Sequence, residues 1–99
     1  LKAFKLAAKL QPDTFELQMR LGEAYYDLIS PDWKSALIHW NELRKRVENP
    51  LKVEILDLHR ARVMGKLGRF EEAIALTDTV LAPSLQQSKE QVRADIAQH

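Results

Sequence analysis

Residues 21–43 read LGEAYYDLISPDWKSALIHWNEL, and residues 61–80 read ARVMGKLGRFEEAIALTDTV. The two stretches align at a constant offset, because Ala36 and Ala73, like the aromatic residues three positions before them, are 37 residues apart. Self-similarity at such a period is typical of helix–turn–helix units that stack on one another. The chain is therefore predicted to be a helical repeat protein.

The first stretch carries a Leu-Gly-x-x-Tyr pattern on one helix, then an alanine, an aromatic residue and a proline on and after the next. The residues that make this pattern are Leu21, Gly22, Tyr25, Ala36, Trp40 and Pro50. It resembles the tetratricopeptide repeat. The second helix and closing proline of an earlier repeat are matched by Phe4, Ala7, Leu10 and Pro12. In the following repeat Ala73 is kept, Ala61 stands at the glycine position, and Met64 and Thr77 replace the aromatic residues.

The resemblance covers residue 1 to about residue 83 and implies an all-α fold. Antiparallel helix–turn–helix repeats would stack as a right-handed α-solenoid of about six helices. Within one domain over 1–99 we expect the second helix of a truncated repeat at 1–12, repeats at 14–49 and 50–82, and a terminal or capping helix at 84–98. Residues 29–32 lengthen one turn, and residues 44–49 lengthen the second helix or its exit. Because Leu1 opens inside a helical pattern, we expect a fragment of a longer protein.

Helix boundaries follow from proline, glycine and capping residues. The predicted helices span 1–10, 14–30, 33–48, 50–67, 70–81 and 85–98. Asp13 or Thr14 is predicted to cap the second helix, Asp32 the third and Ser84 the last, with Gly68 as the C-cap of the fourth. Small residues are expected where antiparallel helices approach closely. The predicted inter-helix core comprises Leu21, Tyr25, Trp33, Ala36, Trp40 and Ala73.

Composition and motifs exclude several functional classes. Net charge is only +1 and the one basic run, residues 44–46, ends a helix, so nucleic-acid binding is not expected. No apolar run is long enough for membrane insertion. The chain has no cysteine, its three histidines lack metal-ligand spacing, and no phosphate-binding loop or nucleophile elbow is present. We therefore expect no enzymatic activity, metal or cofactor. The compartment stays open, with the cytoplasm favoured over the periplasm.

The resemblance implies that the first helix of each hairpin lines a concave groove that binds a protein or peptide. The residues carried over to this groove are Met19, Glu23, Tyr26, Asp27, Ile55, Leu58, Arg62 and Lys66. Members of this family can clamp a C-terminal carboxylate with lysines and asparagines. Here Glu23 and Arg62 stand at the asparagine positions and Met19 at the first lysine, so an extended or helical peptide of mixed charge is the expected ligand.

Tyr26 and Arg62 are the expected hot spots of this groove. Tyr25 is predicted to point inward, which leaves Tyr26 to face away from the core. If the partner is acidic near Arg62, binding should weaken as salt rises. The alternative function is a structural scaffold or spacer that assembles into homo-oligomers through the open ends of its repeats.

Overall fold

Five α-helices and two short 3-10 helices make up the computed structural model, which describes residues 15–28 and 30–97. The helices are α1 (Phe15–Ala24), α2 (Trp33–Arg46), α3 (Pro50–Lys66), α4 (Phe70–Thr77) and α5 (Gln86–Ala97). The 3-10 helices are Tyr25–Asp27 and Pro83–Leu85. No strand occurs among the described residues, so the predicted all-α class is confirmed. The helix expected over 1–10 and the caps Asp13 and Thr14 lie outside the described residues.

The chain divides into two compact units, which we call the N-terminal unit (through Arg46) and the C-terminal unit (from Val47). Each unit is built around its own helix hairpin. In the N-terminal unit α1 packs on α2, and in the C-terminal unit α3, α4 and α5 pack on one another. The division falls close to the predicted boundary between the repeats at 14–49 and 50–82.

Capping residues mark three helix ends, and two of these residues, Asp32 and Gly68, were predicted. Asp32 Oδ1 accepts a hydrogen bond from Ser35 N at 3.0 Å, and Asn49 Oδ1 accepts one from Lys52 N at 3.1 Å. Pro50 occupies the first turn of α3, where its missing N–H is not needed. After α3, Gly68 adopts a φ of 83°, a left-handed conformation that glycine tolerates best. The hairpin of α3 and α4 closes at this glycine.

Two helices end four or more residues earlier than predicted. The first ends as α at Ala24, tightens into the 3-10 turn and leaves the helix at Leu28, whose ψ is 152°. The other, α4, ends at Thr77 rather than Leu81, where the hydroxyl groups of Thr77 and Thr79 donate to nearby main-chain carbonyls. Such local hydrogen bonds compete with continuation of a helix.

The segment after α4 is held by the side chain of Glu54 on α3. Its carboxylate accepts hydrogen bonds from the main-chain N–H groups of Leu81 and Ala82. Leu81 lies outside the helix, and its side chain is 75% exposed. Ser84 lies within the 3-10 turn, so the prediction that it caps α5 was wrong.

The predicted core is confirmed for four of its six residues: Leu21, Ala36, Trp40 and Ala73 are buried. Trp33 and Tyr25 are only half-buried. The Trp33 ring packs against the Tyr26 ring, with 5.1 Å between the two ring centroids. The Tyr25 ring lies 6.3 Å from His39, which forms a 2.6 Å hydrogen bond with the Gln18 carbonyl.

Candidate functional site

A pocket of about 330 Å³ opens between α3 and α5 in the C-terminal unit. Ile55 and Leu85, near the starts of their segments, line the same pocket, while Arg62 pairs with Asp95 near the other ends. The two helices therefore run side by side in the same direction. In an array of helix–turn–helix units, the first helices of neighbouring units are parallel in the same way.

Close approach of α3 and α5 beyond the pocket depends on Gly65. A Cβ atom at this position would lie 2.9 Å from Ile96 Cγ1, closer than an ordinary van der Waals contact. Ile96 is buried at 4% exposure. The helices are thus in tight contact at their C-terminal ends, and the pocket lies in the groove before this contact.

One wall of the pocket is a single face of α3. It consists of residues spaced at i, i+3, i+4 and i+7, which helical geometry places together: Ile55, Leu58, His59 and Arg62. The opposite wall comes from the 3-10 turn and α5: Leu85, Ser88, Gln91 and Val92. Each wall combines two aliphatic side chains with two polar ones. A lining of this kind suits a ligand with an apolar group and adjacent hydrogen-bonding atoms.

Arg62 dominates the electrostatics of the pocket. Its Nη2 lies 3.2 Å from Asp95 Oδ2, and both side chains are about one-third exposed (35% and 37%). Its Nε is buried and has no hydrogen-bond partner among the described residues. A buried N–H group without an acceptor costs about 1–3 kcal/mol. Arg62 therefore has a donor that the fold leaves unmatched.

His59 is uncharged at neutral pH. Burial, with a smaller contribution from the nearby Arg62 charge, lowers its pKa from 6.5 to about 4. The pocket wall thus carries one cation, Arg62, which Asp95 already balances. This leaves the groove without a strong net charge at pH 7.

The low pKa of His59 predicts a pH-dependent stability. Since the pKa is lower in the folded state than in the unfolded chain, neutral His59 contributes stability above pH 6.5, and this is lost as pH falls toward about 4. We expect a loss of about 3 kcal/mol from this group at pH 4. Urea unfolding at neutral and acidic pH should show that His59→Gln removes this part of the pH dependence of the unfolding free energy. An unchanged pH dependence in the variant would contradict the assignment.

The structure brings three of the eight predicted groove residues together. Ile55, Leu58 and Arg62 line the pocket, and Leu58 is buried. Lys66 is exposed one turn beyond Arg62 and does not line it. The other four belong to the N-terminal unit: Met19 and Tyr26 are half-buried, and Glu23 and Asp27 are exposed. Their role in binding stays a prediction.

Tyr26 was predicted to face away from the core, but its side chain packs against it. Its hydroxyl oxygen accepts a hydrogen bond from Trp40 Nε1 at 2.7 Å, and its ring lies beside Trp33 and Trp40. The cause is the 3-10 turn, which advances 120° per residue instead of the 100° of an α-helix and so redirects this side chain. Tyr26 is therefore half-buried rather than exposed, and its role in binding stays a prediction.

Tyr26→Phe is expected to destabilise the N-terminal unit rather than to weaken binding. Removing the hydroxyl leaves the N–H of the fully buried Trp40 without this acceptor, which should cost about 1–3 kcal/mol. Thermal unfolding checks the value, and Tyr25→Phe serves as the control in the same turn. Equal melting temperatures for Tyr26→Phe and wild type would show that the bond contributes nothing.

The α5 side of the pocket was not predicted from the sequence. Leu85, Ser88 and Val92 recur at i, i+3 and i+7, a spacing that marks one helix face. Within this stripe Val92 is buried at 4% exposure. The packing of this stripe beside the Ile55 face of α3 depends on tertiary contacts.

Within the described residues, no group of three or more histidine, aspartate or glutamate side chains is placed to hold a metal ion. No described helix is both long enough and apolar enough to cross a membrane. Comparisons with protein-family models, curated protein sequences and solved structures return no significant match to this chain. The relationship to the tetratricopeptide family therefore stays a prediction from the sequence pattern.

Proposed function

We propose that this chain is a protein–protein interaction module of tetratricopeptide-like repeats, which binds a peptide or partner segment in the groove between α3 and α5. The main support is the meeting of Ile55, Leu58 and Arg62 around one pocket. These residues are the ones that the resemblance assigns to a groove floor. The proposed role is binding, with no catalytic step.

The shape of the site favours a peptide ligand over a broad, flat contact with a folded partner. Two parallel helices form an elongated groove, and the aliphatic side chains at its base provide an anchor point for one apolar residue. Polar groups along both walls then fix the orientation of the bound peptide. The pocket lies wholly within the C-terminal unit, so this part of the site needs no residue from the N-terminal unit.

The test is selection of binders from a random peptide library displayed against the whole chain. Selected peptides are then measured against Ser88→Trp, which places a bulky ring in the pocket wall, and against Gln87→Trp, its exposed neighbour outside the lining. We expect Ser88→Trp to weaken binding by at least about tenfold and Gln87→Trp to change it by less than about twofold.

The alternative function, a scaffold that self-assembles through its repeat ends, predicts other results. Selection would yield no peptide that is sensitive to Ser88→Trp, and sedimentation would show concentration-dependent homo-oligomers in wild type and both variants. That combination would contradict the groove as the functional surface.

A further inference from the structure

The charge of Arg62 is already matched inside the fold. Asp95 Oδ2 lies 3.2 Å from Arg62 Nη2. A ligand carboxylate that approached Arg62 would also approach Asp95, and like charges at such a distance repel. An acidic residue is therefore a poor partner at this position, although Arg62 is the only cationic side chain lining the described pocket.

The unmatched Nε–H of Arg62 calls for a neutral acceptor instead. It is buried and unpaired among the described residues, an unfavourable arrangement that an incoming acceptor can relieve. A main-chain carbonyl provides this acceptor without adding charge beside Asp95. Because neighbouring atoms cover Nε, the proposed bond requires the Arg62 side chain to turn as the carbonyl arrives.

The dimensions of the pocket set the length and conformation of the bound segment. From Ile55 to Arg62 the α3 wall rises about 10 Å, which an extended chain covers in about three residues. A helical ligand has its own carbonyl groups engaged in internal hydrogen bonds. An extended ligand has free carbonyl and N–H groups, and the exposed Ser88 and Gln91 side chains can pair with them from the opposite wall.

We propose that the groove binds an uncharged, extended peptide segment that inserts one large aliphatic side chain between Leu58 and Val92. A main-chain carbonyl of this segment accepts a hydrogen bond from Arg62 Nε. This assignment rests on the proposed function and refines its ligand. It differs from the mixed-charge peptide expected from the sequence, because Asp95 neutralises Arg62 in the folded chain.

The test uses three capped heptapeptides with the whole chain labelled with ¹⁵N. One has a central leucine between alanines, one has serine in place of the leucine, and one has aspartate on both sides of the leucine. In NMR titrations we expect the first peptide to shift amide signals of α3 and α5 and the Arg62 Nε–H signal. The serine and aspartate peptides should bind at least about tenfold more weakly. Raising salt from about 0.05 to about 0.5 M should change the affinity of the first peptide by less than about twofold.

Arg62→Lys isolates the Nε contribution, since lysine keeps the positive charge near Asp95 and lacks Nε–H. We expect about tenfold weaker binding of the leucine peptide to this variant. Arg69→Lys, at an exposed arginine that pairs with Glu72 outside the pocket, should bind like wild type. Full retention of affinity in Arg62→Lys would overturn the proposed hydrogen bond.

Other outcomes separate failure of this inference from failure of the proposed function. Preferential, salt-sensitive binding of the aspartate peptide would overturn the uncharged ligand while leaving a peptide groove in place. Library peptides that become helical when bound, and whose binding is blocked by Ser88→Trp, would overturn the extended conformation while also leaving the peptide groove in place. If neither the leucine peptide nor any library peptide shifts the pocket signals, both proposals fail.

Discussion

Trp40→Ala is expected to lower the unfolding free energy of the N-terminal unit by about 3–5 kcal/mol. The Trp40 side chain is fully buried, its ring packs near those of Tyr26 and His39, and its N–H donates to the Tyr26 hydroxyl. Alanine would leave a cavity and remove this hydrogen bond at once. Since small domains have a total stability of about 5–15 kcal/mol, the unit is expected to be largely unfolded under mild denaturing conditions.

Urea unfolding followed by helical circular dichroism measures this change. The matched control is Ile38→Ala, on the same helix, where the side chain is 63% exposed and the expected change is within about 0.5 kcal/mol. If Trp40→Ala unfolds together with wild type and the control, Trp40 does not anchor α2 to α1.

Gly22→Ala is expected to destabilise the same unit by about 3 kcal/mol, although alanine is the better helix former by about 1 kcal/mol. A Cβ atom at this position would lie 2.3 Å from both Cη2 and Cζ2 of Trp40. The indole is enclosed on all sides and cannot move away without disturbing its other contacts. The loss should therefore exceed the gain in helix propensity.

A double-mutant cycle with Trp40→Phe tests this contact directly. Phenylalanine is shorter than tryptophan, so the methyl group that Gly22→Ala adds should be tolerated at a cost below about 1 kcal/mol in that background. Gly65→Ala is a useful comparison, because its new Cβ would meet one atom inside 3.0 Å, Ile96 Cγ1, where the Cβ at position 22 would meet three atoms of Trp40. An equal cost of Gly22→Ala in the wild-type and Trp40→Phe backgrounds would show that the indole is not the cause.

Much of the helical framework was predictable because its signals are local. Asp32, the Asn49–Pro50 pair and Gly68 act on main-chain groups within three or four residues, so their effects can be predicted without the rest of the fold. The burial of Ala36 and Ala73 was predictable for a related reason. Small residues repeated at a fixed period indicate close helix packing whichever neighbour supplies the contact.

The errors occur where groups distant in the chain compete with local preference. Periodicity extended α4 to Leu81, whereas Glu54 on α3 binds the Leu81 and Ala82 N–H groups and holds them outside the helix. Alternation along an α-helix predicted that Tyr26 points outward. In the structure the Tyr26 hydroxyl instead accepts a hydrogen bond from the N–H of Trp40, fourteen residues later. A buried donor needs an acceptor, and this requirement outweighs the small cost of tightening one turn.

By itself the sequence determined that this protein is helical, where most of its helices begin, and which small residues allow them to approach. Only the tertiary structure decided that α5 lies parallel to α3, so that Ile55, Leu58 and Arg62 share a pocket with Leu85 and Val92. It also decided the pairing of Arg62 with Asp95, 33 residues apart, and hence the charge of the candidate site. Helix formation depends on neighbours along the chain, whereas desolvation and charge balance depend on which distant side chains packing brings together.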